Sequence, residues 1–232
     1  MRVQSPIIVI LLAFAGAGLA IGEDAGPLHF ERDIPLAGVK GRIDHFSVDV
    51  SGNRIFVAAL ENGTVEIVDI RKGERVTQIK GLKEPQGVFF DDKTGKLSVA
   101  TAGDGKLRTY DGTKFDLLKT IELGSDADNI RYDERTNEIW VGYGDGGIAI
   151  LDPDGQKMGA VALGAHPEAF QIERIGDSAY VNVPKRLGVM VLDRTKRVAI
   201  ANWGLGGSFA NYPMALDEAS RRLFVVCAYP RD

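Results

Sequence analysis

A repeat of about 42 residues constrains the fold of this chain more than any other feature. Short apolar runs end in an aspartate, and these aspartates are 42, 41 and 41 residues apart. They are Asp69, Asp111, Asp152 and Asp193. A second acidic series closes an earlier run in each unit, at spacings of 42, 42, 40 and 44: Asp49, Asp91, Asp133, Glu173 and Asp217. Periods of about 40 to 50 residues are typical of propellers and solenoids.

Each unit reads as four short strands joined by tight turns. In the first unit the runs are 46–49, 54–59, 64–69 and 74–79. The second and third runs are joined through Asn62-Gly63, a strong hairpin signal because both residues tolerate positive φ. No run keeps a 3.6-residue period, so we expect few helices. Four antiparallel strands per unit predict an all-β fold, a β-propeller of four-stranded blades. A β-solenoid is the alternative, but it lacks a hairpin at every junction.

The repeat predicts one propeller domain over residues 23–232. Its blades are expected at about 41–81, 84–124, 126–164 and 166–204, with a partial blade at 211–232. Residues 28–36 resemble the last strand of a blade without the strands that should precede it. We interpret this segment as an orphan closing strand and expect an open ring of about 4.5 blades. The alternative is a smaller ring that another chain completes.

The first 22 residues have the pattern of a cleavable signal peptide. Arg2 supplies the positive charge, Pro6 to Leu19 form a short apolar stretch, and small residues such as Ala20 follow. A membrane anchor is the alternative, but the apolar run is short for a spanning helix, which needs roughly 20 residues. We therefore predict a periplasmic or secreted protein with no membrane span after signal removal.

Composition excludes several classes of function. The formal net charge is −4, and no basic stripe interleaved with aromatic residues is present, so we expect no nucleic-acid partner. Cys227 is the only cysteine, which rules out a disulfide within the chain and any cysteine-based haem or zinc motif. The sequence identifies no cofactor.

The candidate ligand-binding residues are those that do not repeat from unit to unit. Five positions before the acid that closes the first strand of each unit stand Asp44, Gln86, Asp128, Glu168 and Tyr212, and adjacent to them stand His45, Asn129 and His166, which makes eight candidates. Arg42 is also adjacent but is not one of the eight. In a propeller these loops meet at the mouth of the central channel. Carboxylates and imidazoles gathered there can hold a cation or a cationic substrate. If a metal is bound, the candidate ligands are Asp44, Asp128, His166 and Glu168. The alternative is that these side chains tie down the loops between blades, while the repeated strand-end aspartates form turns.

Four segments carry a resemblance to a known family. The units of YVTN/YncE-like propellers, the group that includes propellers like the β chain of quinoprotein amine dehydrogenase, resemble this chain at 56–58, 65–69, 84–88 and 163–169. The resemblance covers residues 28–228. It implies seven blades in a complete member, and hence a C-terminally truncated one here.

The function expected from this fold is binding. We interpret the chain as an exported propeller that binds or scaffolds an unknown small molecule or protein, and no catalytic residue is identified. A superfold of this kind hosts many activities. The alternative is therefore an enzyme or enzyme subunit, similar to a metal-assisted lactonase or a quinoprotein dehydrogenase, with its site at the channel mouth.

Overall fold

The computed structural model describes residues 28–144 and 146–229. The chain divides into two compact units, residues 1–33 and 34–232. In the first unit, residues 28–33 form no helix or strand, and the predicted signal peptide at 1–22 lies outside the described residues. Within the described part of the chain, no helix has the length and apolar character needed to cross a membrane.

The second unit consists of four four-stranded antiparallel sheets and one two-stranded sheet, each connected in simple sequence order. The first sheet contains β1 (Ile43–Asp49), β2 (Arg54–Ala59), β3 (Thr64–Asp69) and β4 (Glu74–Lys80). The second contains β5 (Pro85–Asp91), β6 (Lys96–Thr101), β7 (Lys106–Asp111) and β8 (Leu117–Glu122). The third contains β9 (Ile130–Asp133), β10 (Glu138–Tyr143), β11 (Gly147–Leu151) and β12 (Lys157–Ala162). The fourth contains β13 (Phe170–Ile172), β14 (Ser178–Val183), β15 (Gly188–Asp193) and β16 (Val198–Gly204). The fifth contains β17 (Phe209–Asp217) and β18 (Arg222–Tyr229).

These sheets are the blades of an open β-propeller. The first strand of each blade contacts the first strand of the next, so β1, β5, β9, β13 and β17 follow one another along the inner side of the arc. The only helical segments among the described residues are two single 3-10 turns, Ala102–Asp104 and Pro184–Arg186. The all-β prediction and the open ring are confirmed.

The repeated aspartates form turns, as predicted. At the end of β1 the Asp49 carboxylate accepts a hydrogen bond from the backbone N–H of Gly52 at 2.7 Å. At the end of β7 the Asp111 carboxylate accepts bonds from the backbone N–H groups of Thr113 and Lys114, at 2.9 and 2.6 Å. The same kind of bond is made by Asp69, Asp91, Asp133, Asp152, Asp193 and Asp217. These bonds give the repeated carboxylates a role in forming their own turns.

The hydrophobic core lies between neighbouring blades. One cluster joins the first two blades around Phe56 and Phe90, whose ring centroids are 5.1 Å apart. Another joins the third and fourth blades around the fully buried Trp140 and Phe170. Each sheet therefore buries both faces only where it has a neighbour on both sides.

The two ends of the arc expose apolar side chains. Phe46 and Val48 of β1 are 64% and 41% exposed, and Phe224 and Val226 of β18 are 54% and 59% exposed. Residues 28–36, expected to form a closing strand, form no strand in the structure. A strand requires backbone pairing with a neighbour, and no described sheet includes this segment. Its role in closing a ring stays a prediction.

Candidate functional site

Each inner strand has a β-bulge at the same place. In β1 the pairing with β2 passes from Ile43 to Phe46, so that Asp44 and His45 together oppose one residue. β5 and β17 show the same shift in their pairing. Just before β9, the backbone groups of residues 128 and 129 both bond Gly142, and just before β13 those of residues 168 and 169 both bond Asn182, so two residues oppose one there as well. The bulged pairs are 44–45, 86–87, 128–129, 168–169 and 212–213. A bulge breaks the alternation of side chains and re-aims them, which is why bulges recur beside binding sites.

The bulges surround one cavity of about 320 Å³ at the mouth of the arc. Seven of the eight predicted site residues line it: Asp44, His45, Gln86, Asp128, Asn129, Glu168 and Tyr212. The eighth, His166, has a potential ligand atom within 4.8 Å of one from Asp128 and one from Glu168. The structure thus brings all eight residues together, although their role in binding stays a prediction.

One side of the cavity is internally neutralised. The guanidinium of Arg42 donates to the carboxylate of Asp44 and, at 3.3 Å, to the amide oxygen of Gln86. His45 Nδ1 lies 2.7 Å from Asp44 Oδ1, although the direction of the contact is not that of a hydrogen bond. Burial works against ionisation of Asp44, but His45 and Arg42 outweigh it and lower the pKa of the carboxyl. Asp44 is therefore an ionised carboxylate that already has its counter-charges.

The centre of the cavity holds a carboxylate with a free oxygen. The Asp128 side chain is 4% exposed, and its Oδ2 accepts a hydrogen bond from Asn129 Nδ2 at 2.9 Å. Its Oδ1 is buried and has no hydrogen-bond partner among the described residues, and His45 Nδ1 lies 3.7 Å away from it. The amide oxygen of Asn129 is likewise buried and unpartnered. Two acceptors without donors at one point favour a ligand that is positively charged or donates hydrogen bonds.

The other side of the cavity combines an imidazole and a second carboxylate. His166 Nδ1 lies 3.1 Å from the carbonyl oxygen of Gly144 and 3.4 Å from Asp126 Oδ2. The carbonyl only accepts, so Nδ1 carries the proton and Nε2 of the neutral ring keeps a lone pair. Glu168 is held by its backbone, whose N–H donates to the carbonyl of Asn182 at 2.9 Å. No hydrogen bond involves its carboxylate within the described part of the chain.

An arginine also belongs to this environment. Arg131 lies on β9, and its Nη1 donates to the carbonyl oxygen of Ile130 at 2.7 Å. Its guanidinium lies 5.6 Å from the ring centroid of Phe170. Burial lowers the pKa of Arg131, and the nearby charge of Asp128 partly offsets that effect. The candidates predicted from the sequence precede the expected first strand of each unit, and Arg131 was missed because it lies within that strand in the third unit.

Burial dominates the ionisation of the remaining acids. It raises the pKa of Asp128, and Asp44 adds to that rise while His45 opposes it. It also raises the pKa of Glu168, together with the charges of Asp128 and Asp126 and against that of His166. For His45, burial acts to lower the pKa, but Asp44 and Asp128 outweigh it and raise the pKa. The carboxylates of Asp128 and Glu168 are thus kept in a place that disfavours their charge.

The alternative that these polar residues tie down loops finds support at two positions. The His166 ring bonds the loop carbonyl of Gly144, and the Gln86 amide donates to Asp126, in the loop before β9, at 3.3 Å. The carboxylates of Asp44, Asp128 and Glu168 make no hydrogen bond to loop backbone within residues 28–144 and 146–229. Asp44 instead contacts Arg42 and His45, and Asp128 contacts Asn129, all of which line the cavity. A purely structural role leaves the placement of Asp128 and Glu168 unexplained.

Comparison with known proteins establishes the fold. No family model matches this chain, and no curated protein matches it. Among solved structures it is similar to hydrazine synthase of Kuenenia stuttgartiensis, with a TM-score of 0.75 and 15% sequence identity. The alignment covers 89% of this chain and 60% of that one. This chain therefore spans less than two thirds of the length of the structure that it matches.

The likeness is widely shared. Matches extend over 1403 solved chains, which indicates a common architecture rather than a particular activity. The site described above must therefore be interpreted from its own residues.

Proposed function

We propose that this chain is a propeller binding module whose channel mouth holds a small, positively charged ligand. One observation carries the proposal: Asp128 is a buried carboxylate with an unpartnered oxygen inside a cavity of about 320 Å³. An unmade hydrogen bond to a buried group costs about 1–3 kcal/mol, and more for a charged one. A bound cation would recover that cost.

The charges around the cavity support a cation over an anion. Asp44, Asp128 and Glu168 line it, and Asp126 lies just behind His166. Against these four carboxylates stand Arg42, Arg131 and His45, and two of those three already contact Asp44. The carboxylates that remain without a counter-charge are on the side of Glu168.

The proposal includes the family and the location expected from the sequence. The blade motifs resemble those of YVTN/YncE-like propellers, and residues 1–22 have the pattern of an export signal. On this proposal the module binds its ligand outside the cytoplasm. The same motifs support membership in a family whose rings are built from repeated four-stranded blades.

Thermal melting of the purified protein tests the cation site. The probes are spermidine, methylammonium, Mn²⁺, Zn²⁺ and Mg²⁺, each compared with a potassium salt at equal ionic strength. At least one of these probes should raise the melting temperature of the wild type above the potassium control, because a ligand that binds only the folded state stabilises it.

Variants locate the effect at the channel mouth. The double variant Asp128→Asn with Glu168→Gln should lose the stabilisation. Glu122→Gln is the matched control, because Glu122 is an exposed carboxylate on β8, away from the cavity. The proposal is wrong if no probe stabilises the wild type, or if the double variant responds as strongly as the wild type does.

A further inference from the structure

We propose that Asp128, His166 and Glu168 form a binding site for one divalent transition-metal ion, of the class of Mn²⁺ or Zn²⁺. This inference rests on the proposed function and makes its ligand specific. It assigns the metal to one side of the cavity and to three residues.

The three residues are close enough to share an ion. One ligating atom from each lies within 4.8 Å of the others. A second group, Asp44 with His45 and Asp128, meets the same criterion. The Asp44 carboxylate of that group is already neutralised, however, because Arg42 donates to it and the His45 ring lies 2.7 Å from it. The carboxylate of Glu168 accepts no hydrogen bond among the described residues, so the group that contains His166 and Glu168 is the more open of the two.

Asp128 is the ligand whose position demands an explanation. Its side chain is more than nine-tenths buried, and its Oδ1 has no hydrogen-bond partner. The other oxygen is fixed by the Asn129 amide at 2.9 Å. A carboxylate that is oriented through one oxygen and left open at the other has the arrangement expected of a metal ligand supported by a neighbouring hydrogen bond.

The contacts of His166 favour the tautomer whose Nε2 can bind a metal. Its Nδ1 donates to the carbonyl of Gly144 at 3.1 Å, and the Asp126 carboxylate lies 3.4 Å from the same nitrogen. Metal-binding histidines commonly donate their second ring N–H to a carbonyl or a carboxylate, which fixes the tautomer and raises the basicity of the ligand nitrogen. Here Gly144 and Asp126 supply both kinds of partner.

The donor set selects the class of ion. Two carboxylates and one imidazole suit Mn²⁺, Zn²⁺ and related first-row ions, whereas Ca²⁺ and Mg²⁺ favour oxygen ligands alone. Three protein ligands leave coordination positions that face the cavity. A metal held in this way can bind an exchangeable water or a ligand oxygen from the solvent side.

Titration of the chelator-treated protein with Mn²⁺ and with Zn²⁺, followed by calorimetry, tests the assignment. We expect one ion per chain and affinity for Mg²⁺ at least about tenfold weaker. Asp128→Asn, His166→Ala and Glu168→Gln should each weaken binding by at least about tenfold. Asp126→Asn should weaken it by roughly tenfold, because Asp126 supports His166. Glu122→Gln should bind as the wild type does.

The outcomes separate this inference from the proposed function. If spermidine or methylammonium stabilises the protein while Mn²⁺ and Zn²⁺ do not bind, the metal site is wrong and the cation site stands. If no probe binds, both are wrong. If Asp44→Asn weakens metal binding more than His166→Ala does, the ion belongs to the other group and the assignment fails. Circular dichroism of each variant ensures that loss of binding is not loss of folding.

Discussion

Replacing Asp128 with asparagine should make the unliganded protein more stable while it removes ligand binding. The carboxylate is 4% exposed and has an unpartnered oxygen. Burial and the charge of Asp44 raise its pKa. Such a group is retained at a cost to folding, and an uncharged amide of the same shape would reduce that cost.

The magnitude follows from opposing effects. A buried acceptor without a partner costs about 1–3 kcal/mol. The variant also loses the attraction between Asp128 and His45 Nδ1, 3.7 Å away, which offsets part of the gain. We expect a net increase of about 1 kcal/mol in the free energy of unfolding. For a chain of this size that corresponds to a rise of roughly 2–4 °C in melting temperature.

The pH dependence has a definite sign. A carboxyl whose pKa is raised on folding favours the folded state while it is protonated, and this advantage is lost as the pH rises through the raised pKa. The wild type therefore bears the cost at neutral pH. The difference in stability between Asp128→Asn and the wild type should be largest near pH 7 and should shrink as the pH falls toward about 4.

Urea unfolding at several pH values, in the absence of metal, is the assay, and Asp133→Asn is its matched control. Asp133 is also a buried aspartate of the third blade, and its Oδ2 likewise makes no hydrogen bond, but that oxygen lies 3.3 Å from the charged Arg194 Nε and its Oδ1 accepts from the N–H of Arg135 at 3.0 Å. Removing one partner of this buried pair should cost roughly 3 kcal/mol. If Asp128→Asn is destabilising to a similar extent, Asp128 is structural and the reasoning is refuted.

Two further predictions concern the blades themselves. Gly105 and Gly95 have φ of 60° and 65°, but an added Cβ at Gly105 would lie 2.5 Å from the backbone nitrogen of Ser125, whereas at Gly95 it would meet nothing within 4 Å. At Gly95, alanine should cost only the roughly 1–2 kcal/mol that a left-handed backbone imposes on a residue with a Cβ. Gly105→Ala should cost clearly more than that, and equal losses in urea unfolding would contradict the packing argument. The hydrogen bond from Arg108 holds the pKa of Asp104 below its usual value, against the effect of burial. A lowered carboxyl pKa stabilises the folded state at pH values above about 4, and this stabilisation is lost as the pH falls further. Asp104→Asn should therefore lower the free energy of unfolding by roughly 1–2 kcal/mol at pH 7 and by little near pH 3. An equal loss at both pH values would show that the charge is not the cause.

Much of the site could be predicted because the repeat supplies a frame of reference. The position five residues before each strand-end acid is Asp44 in the first blade and Asp128 in the third, and the structure places both on one cavity. Two features of the site could not be predicted from the sequence. The bulges share no glycine signature in the sequence, because only the pair 86–87 contains a glycine. Asp126 becomes relevant only through contacts in space, 3.4 Å from His166 Nδ1 and 3.3 Å from the amide nitrogen of Gln86.

The sequence by itself determined the blades, and the tertiary structure decided the site. Blade limits and turns follow from local chemistry, because each strand-end aspartate bonds the backbone of its own turn within a few residues. The environment of Asp128 depends on contacts across three blades, with His45 from the first and Glu168 from the fourth. Only the packing of the blades buries Asp128, leaves one of its oxygens without a partner and distinguishes the two candidate ligand groups. Charge and hydrogen bonding at a shared cavity are properties of the arrangement in space, which no single repeat contains.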